Sequence, residues 1–216
     1  MACCSNTSEA ACRGHVKCLE RITKGTRWRY PGLSYIAAQY GRLECLRYAH
    51  ENNLDWHESV AVVAAANGHL DCLRYAHQNS RTWDQRTIQV AAEGGHLDCL
   101  KYAHENGCPW HAETIREAAR NGHLDCLRYA RENGCDWDSG TTQIAAKRGY
   151  VNCLLYAYEN GAPVVDDNTK HAIEAVYRQK FAALLPPNDI SSYVNAIPRD
   201  IRGIIEEFYV RSMCAR

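Results

Sequence analysis

The pattern of apolar and polar positions repeats every 27 residues along this chain, and each repeat contains two segments that are typical of helices. In the segment Leu97–Ala103, apolar residues fall at i, i+3 and i+6, which is the spacing of one face of an α-helix. The alanine pair Ala91-Ala92 lies in the segment before it, which opens with polar residues and predicts a shorter helix. Gly95, between the two segments, favours a left-handed turn. Each repeat of 27 residues is therefore predicted to be a pair of helices.

The turn glycine occurs six times and marks six repeats. These glycines are Gly14, Gly41, Gly68, Gly95, Gly122 and Gly149. A tryptophan recurs with the same period, at Trp56, Trp83, Trp110 and Trp137. One helix pair cannot bury its own apolar face, so consecutive repeats must stack into a continuous core. We interpret the tryptophans as filling space between repeats.

The two ends of the array depart from the repeat. Glu9–His15 predicts a shortened first repeat, and Asn168–Tyr177 occupies the next first-helix position after the sixth repeat. Arg178–Leu185 would then be the second helix of a degenerate seventh pair. Pro186-Pro187 ends the array, because proline cannot continue a helix. We therefore expect an array over residues 1–185 and a C-terminal helical cap or tail over residues 186–216.

The stretch Gly95–Trp110, together with Ala91-Ala92, resembles the ankyrin repeat: an alanine pair, Gly-His, an acidic residue, an apolar helix and Asn-Gly. The ankyrin period is about 33 residues, so about six residues are missing, between Gly107 and Ala118, where that family has its β-hairpin. The resemblance implies an all-α helix-turn-helix solenoid of about seven helix pairs with its hairpin fingers reduced or absent. Short ankyrin-type arrays of giant DNA viruses and some protists are similar.

Charge and hydropathy exclude several classes of partner. The chain has 25 Lys plus Arg and 25 Asp plus Glu, so its formal net charge is zero and no overall field favours nucleic acid. No stretch reaches the roughly 18 apolar residues of a membrane span. The first residues lack an apolar segment typical of a secretory signal. We expect a monomeric protein in the cytoplasm, or in the host cytoplasm if the chain is viral.

The twelve cysteines do not predict disulfide bonds. Six of them share one repeat position: Cys18, Cys45, Cys72, Cys99, Cys126 and Cys153. Copies on stacked helices lie about 8 to 10 Å apart, whereas a disulfide needs Cα atoms within about 7 Å. We interpret these cysteines as small apolar core residues of a reduced protein.

The thiols also raise the question of metal binding and catalysis. His-x-x-Cys pairs such as His96 and Cys99 supply two ligands each, and structural zinc needs four. We therefore predict no metal site. The alternative is a metal bound by the group of Cys4, Cys12, His15 and Cys18. No cysteine or serine is set apart from the repeats by an activating base, so no catalytic residue, enzyme activity or cofactor is predicted.

Binding should occur where repeats differ, because residues common to every repeat are explained by stacking. First-helix positions vary most, and in the ankyrin resemblance the first helices line the concave groove. The predicted partner-binding residues are Gln89, Glu93, Arg116, Arg120, Gln143, Lys147, Arg148 and Lys170. The leading hypothesis is a non-enzymatic scaffold that binds an acidic or polar protein surface there, and a merely solvated face is the alternative.

Two other functions remain open at the level of sequence. Ile197-Pro198 and the apolar residues Ile201, Ile204 and Ile205 resemble the opening of an F-box, which implies a substrate adaptor of a ubiquitin ligase. A capping helix over the last repeat explains the same residues more simply. A structural subunit of a larger assembly is the other alternative.

Overall fold

The computed structural model describes residues 4–24, 30–80, 84–111 and 113–184. These residues form thirteen helices and no strand. The helices are α1 (Thr7–Arg13), α2 (Val16–Thr23), α3 (Leu33–Gln39), α4 (Leu43–Glu51), α5 (Val60–Ala66), α6 (Leu70–Ser80), α7 (Arg86–Glu93), α8 (Leu97–Glu105), α9 (Thr114–Asn121), α10 (Leu124–Glu132), α11 (Thr141–Arg148), α12 (Val151–Glu159) and α13 (Asp167–Leu184). The predicted helix pair is confirmed for each of the six repeats.

The turn within each pair is built by the residues that repeat most regularly. After α7, the N–H of Gly95 donates to the carbonyl of Ala92, and the N–H of His96 donates to the carbonyl of Ala91. These bonds satisfy the last carbonyls of α7, which would otherwise lack partners. The second helix of the pair begins directly afterwards, at Leu97. The alanine pair and the Gly-His dipeptide thus form one hydrogen-bonded corner.

The chain divides into two compact bodies, an N-terminal body over Met1–Asp136 and a C-terminal body over Trp137–Arg216. In the N-terminal body, first helices pack on first helices, as α7 does on α5 and α9, and second helices pack on second helices. Its core contains the alanine pairs and one leucine from each second helix: Leu19, Leu46, Leu73, Leu100 and Leu127. In the C-terminal body, α13 packs on α11 and α12, with Ile173 and Tyr177 buried.

Hydrogen bonds link consecutive repeats at the helix corners. The imidazole Nε2 of His69 lies 3.1 Å from the carbonyl oxygen of Gln39, and Nε2 of His96 lies 3.2 Å from that of Ala66. The partners are 30 residues apart in both cases. The Gly-His histidine is therefore a structural residue that holds one repeat to the previous one.

A second set of contacts runs along the ends of the second helices. Nδ1 of His104 lies 3.1 Å from the hydroxyl oxygen of Tyr129, and His50 and His77 make the same contact with tyrosines one repeat further on. Trp110 stacks on His104 with ring centroids 4.5 Å apart and donates its indole N–H to the carbonyl of Asn133. These packing contacts agree with the sequence interpretation of the tryptophans. Trp83 lies outside the described residues.

The C-terminal end corrects one expectation. A separate seventh helix pair was expected, but α13 is a single helix of 18 residues that continues through Tyr177 and Arg178. The physical reason is that Val176 occupies the position of the turn glycine, and the segment 167–184 contains neither glycine nor proline. The predicted cap and the F-box-like segment lie outside the described residues. None of the described helices combines the length and the apolar character needed to cross a membrane.

Candidate functional site

A network of charged and polar side chains covers one face of α9. Arg116 forms an ion pair with Glu113 and lies 3.9 Å from Glu117, and Arg120 lies 3.2 Å from the second carboxylate oxygen of Glu117. From the preceding repeat, the amide of Gln89 donates a hydrogen bond of 3.2 Å to Glu113. We call these five residues the α9 network. It brings together three of the predicted binding residues and two acidic residues that were not predicted.

Glu117 is the unusual member of the α9 network, because its residue is only 4% exposed. The equivalent position is aliphatic in four other repeats, at Ile36, Val63, Val90 and Ile144, and the first repeat has the half-exposed Glu9 there. Burial raises the pKa of Glu117, while Arg120 opposes this shift and the carboxylate of Glu93 adds to it. A carboxylate therefore replaces an aliphatic side chain at a position that the stacking of repeats would fill with one. The break in this apolar column was the sequence signal that could have identified Glu117.

The two predicted arginines are only partly accessible. The side chain of Arg116 is 28% exposed and that of Arg120 is 38% exposed, and both are ion-paired with glutamates of the α9 network. Glu93, which was predicted beside them, lies exposed at the end of α7. The surface of the N-terminal body at α9 is thus polar, with its positive charges already matched by carboxylates.

The C-terminal body carries the other predicted residues. Gln143 and Lys147 line an open groove of about 440 Å³, together with Asp166 and Thr169 at the start of α13. The carboxylate of Asp166 accepts hydrogen bonds of 2.8 Å from the N–H and the hydroxyl of Thr169. These bonds, the one from the backbone N–H foremost, lower the pKa of Asp166. The hydrogen bonds at the start of α13 therefore hold the carboxylate of Asp166 in place at this groove.

The remaining two predicted residues do not line that groove. Lys170 lines a neighbouring groove of about 220 Å³ with the exposed Val164 and Val165, and Arg148 lies exposed in the last turn of α11. Within the described part of the chain, Lys147, Arg148 and Lys170 have no carboxylate at ion-pairing distance. These three cations thus differ from Arg116 and Arg120, which are ion-paired.

The buried cysteines of the repeat are poor nucleophiles. Burial raises the pKa of the Cys72, Cys99 and Cys153 thiols to about 11, and that of Cys126 to about 12. A thiol with such a pKa stays protonated at neutral pH and is inert. At the N-terminal end, by contrast, the ligand atoms of Cys4, His15 and Cys18 lie within 4.8 Å of one another.

The helix pairs and the Gly-His corner agree with comparisons to known proteins. A family profile described as "Ankyrin repeats (3 copies)" matches residues 33–114. Residues 33–114 of the chain thus match ankyrin repeats. The crystal structure of the human ASB11 ankyrin repeat domain superposes on 76% of this chain and 86% of that chain, with a TM-score of 0.63 and 17% sequence identity. A search of curated proteins gave no match.

The similarity to the ASB11 domain shows the fold, and it confirms the all-α ankyrin-like solenoid predicted from the sequence. Ankyrin repeats are in general modules for protein–protein interaction, and the fold is typically a scaffold without catalytic activity. The repeats of this chain are 27 residues long, whereas the period of the ankyrin family is about 33 residues. No strand occurs in the described part of the chain, as expected for repeats without the hairpin finger.

Proposed function

We propose that this ankyrin array is a non-enzymatic scaffold that binds a partner protein on the exposed face of its first helices. The observation that carries the proposal is a contrast between two sets of positions. The alanine pairs Ala64-Ala65, Ala91-Ala92 and Ala118-Ala119 are buried, whereas the half-exposed position two residues before each pair changes from Val62 to Gln89 to Arg116. Stacking explains the constant positions and does not explain the variable ones, and recognition of a partner would.

The α9 network supports recognition of a polar surface in the N-terminal body. Its ion pairs hold the guanidinium groups of Arg116 and Arg120 in place before any partner arrives, so little side-chain entropy is lost on binding. A buried carboxylate such as Glu117 is costly to a fold that needs only packing at that position. A binding role would account for its presence at a position that is aliphatic in four of the other repeats.

The C-terminal body supports recognition of an acidic segment. Lys147 beside the groove of α11 and α13, with Lys170 in the neighbouring groove, offers positive charge that no carboxylate among the described residues pairs with. Gln143 and Asp166 add hydrogen-bonding groups to the wall of the first groove. A partner segment that carries Asp or Glu side chains would find complementary charge there.

The experiment begins with capture of the partner by the full chain from its native cell, followed by identification by mass spectrometry and a binding assay with the purified pair. Lys147→Gln and Lys170→Gln each remove one positive charge from the proposed surface. Asn152→Asp is the matched control, because it makes the net charge more negative by one unit at an exposed position of α12. The lysine variants should weaken binding about fivefold to tenfold each and reduce its salt dependence, and the control should not.

The α9 network is tested in the same assay with Arg120→Gln and, as its control, Arg74→Gln on the second helix α6. Circular dichroism confirms that each variant is folded. Equal effects of the site variants and the controls would contradict the proposed surface, since general charge would then explain the binding. Binding unchanged by any of these variants would refute the first-helix face as the interface.

A further inference from the structure

The N-terminal end of the chain brings two thiols and one imidazole to a single point. The sulfur of Cys4 lies 3.2 Å from Nδ1 of His15, and all three ligand atoms of Cys4, His15 and Cys18 lie within 4.8 Å of one another. Cys12, a half-exposed cysteine of the same segment, is outside this group of three. We call the group of Cys4, His15 and Cys18 the N-terminal thiol site.

Two members of the N-terminal thiol site differ from their copies in later repeats. His69 and His96 use Nε2 to contact a carbonyl of the previous repeat, whereas His15 presents Nδ1 to the sulfur of Cys4. Cys45 and its later copies are buried in the core, whereas Cys18 is half-exposed. The histidine and the cysteine therefore serve packing in later repeats, whereas the ligand atoms of His15 and Cys18 lie within 4.8 Å of each other.

The backbone holds the third member in place. The side chain of Asn6 accepts a hydrogen bond of 2.8 Å from the N–H of Glu9 and so fixes the start of α1. Arg21 on α2 donates a bond of 2.9 Å to the carbonyl oxygen of Cys4. As a result Cys4 is only 1% exposed, and its side chain is held against the first turn of α2, where His15 and Cys18 lie three residues apart. The site therefore combines Cys4, which precedes α1, with His15 and Cys18 at the start of α2.

We propose that Cys4, His15 and Cys18 bind a zinc ion. Two thiolates and one imidazole form a ligand set that zinc accepts with a fourth position open to water or an exogenous group. With Zn–S bonds of about 2.3 Å and a Zn–N bond of about 2.0 Å, tetrahedral ligand atoms lie about 3.5 to 3.8 Å apart. The Cys4 sulfur lies 3.2 Å from Nδ1 of His15 and all three atoms lie within 4.8 Å of one another, so small side-chain rotations suffice to reach this geometry. Binding displaces the two thiol protons to solvent, and the two thiolates balance the charge of the ion.

The experiment titrates the full, reduced chain with Co²⁺, whose bonds to thiolates give a charge-transfer absorption that Zn²⁺ does not show. We expect one equivalent of Co²⁺ to produce this band and one equivalent of Zn²⁺ to abolish it. Cys4→Ser and Cys18→Ser should lose the band. Two controls should keep it: Cys12→Ser, a neighbouring half-exposed thiol outside the group of three, and Cys45→Ala, the copy of Cys18 in the next repeat.

Because Cys4 is buried, a second variant keeps the proposal testable if Cys4→Ser does not fold. His15 is exposed, so His15→Gln should fold normally and bind Zn²⁺ at least tenfold more weakly than the wild type. The melting temperature of the wild type should rise on addition of Zn²⁺, and that of His15→Gln should not. A band that survives Cys18→Ser and His15→Gln, the loss of the band in the Cys45→Ala control, or the absence of a stoichiometric band in the wild type would overturn the proposal.

Discussion

A methyl group on Gly95 would lie 2.5 Å from Nδ1 of His123, the residue that precedes α10 in the next repeat. The same relationship links Gly41 to His69 and Gly68 to His96. Each of these glycines therefore provides the space for the imidazole of the following repeat. The Gly-His dipeptide is one element of a contact between repeats, since the glycine of one repeat receives the histidine of the next.

This contact predicts unequal effects of two glycine substitutions. Gly95 has φ of 72° and faces His123, whereas Gly107 has φ of 86°, and a methyl group added to it would meet no atom of the described residues within 4 Å. Gly107→Ala should cost about 1 kcal/mol of unfolding free energy, which is the backbone cost alone. Gly95→Ala should cost about 3 kcal/mol, because the clash adds to it. Urea unfolding of both variants checks this, and equal losses would contradict the role of His123.

The buried carboxylate of the α9 network predicts a gain in stability on its removal. Glu117→Ile introduces the isoleucine that the sixth repeat has at the equivalent position, 144. Arg116 and Arg120 then lose one carboxylate partner, but solvent can reach both side chains. We expect the unfolding free energy at neutral pH to rise by about 1 kcal/mol. Urea unfolding measures this gain, and a loss of stability would contradict it. Glu93→Gln, at an exposed carboxylate, is the control.

The same residue predicts a pH dependence. The pKa of Glu117 is raised above its ordinary value of 4.5, so the folded state holds this proton more tightly than the unfolded state. Its contribution to stability is full below pH 4.5 and is lost as the pH rises through the folded pKa. The advantage of Glu117→Ile should therefore shrink as the pH falls from about 7 toward about 4.5, and an advantage that grows instead would contradict this assignment.

His77 predicts a loss of stability in mild acid. Burial lowers its pKa below the ordinary value of 6.5, so folding favours the neutral imidazole, whose Nδ1 lies 3.1 Å from the hydroxyl of Tyr102. This contribution is complete above pH 6.5 and is lost as the pH falls through the folded pKa. His77→Gln should flatten the change in urea midpoint between about pH 7.5 and about pH 5. The exposed His171→Gln is the control, and an equal flattening there would argue against His77.

The thiols should react in an order set by burial. Cys12 is half-exposed, whereas Cys99 is buried and burial raises its pKa to about 11. Iodoacetamide at about pH 8 should modify Cys12 in the folded chain and should reach Cys99 only after urea is added. Peptide mass spectrometry measures both sites in one sample. Modification of Cys99 in the absence of denaturant at the rate of Cys12 would show that the core opens.

The helix pairs could be predicted because glycine and the alanine pair act locally, through backbone conformation and close packing. The role of Glu117 could not be predicted with the same reasoning, because its burial depends on the neighbouring repeat and its ion pairs depend on rotamers. The sequence named Cys4, Cys12, His15 and Cys18 as one group, but it could not show which of them meet, since the position of Cys4 depends on a hydrogen bond from Arg21, 17 residues away, which no repeat duplicates. The eight predicted binding residues were found on the first helices or at their ends, but divided between two bodies.

The histidine side chains that link repeats of the N-terminal body contact residues that are 25 or 30 positions away. Every such contact closes a short loop, so folding can nucleate at any adjacent pair of helices and spread in both directions without waiting for distant segments to meet. The spacing also survives the in-frame loss or duplication of one whole repeat, because the new neighbours present the same donors and acceptors. A gene for this array can therefore change length by whole repeats while each intermediate still encodes a folded protein.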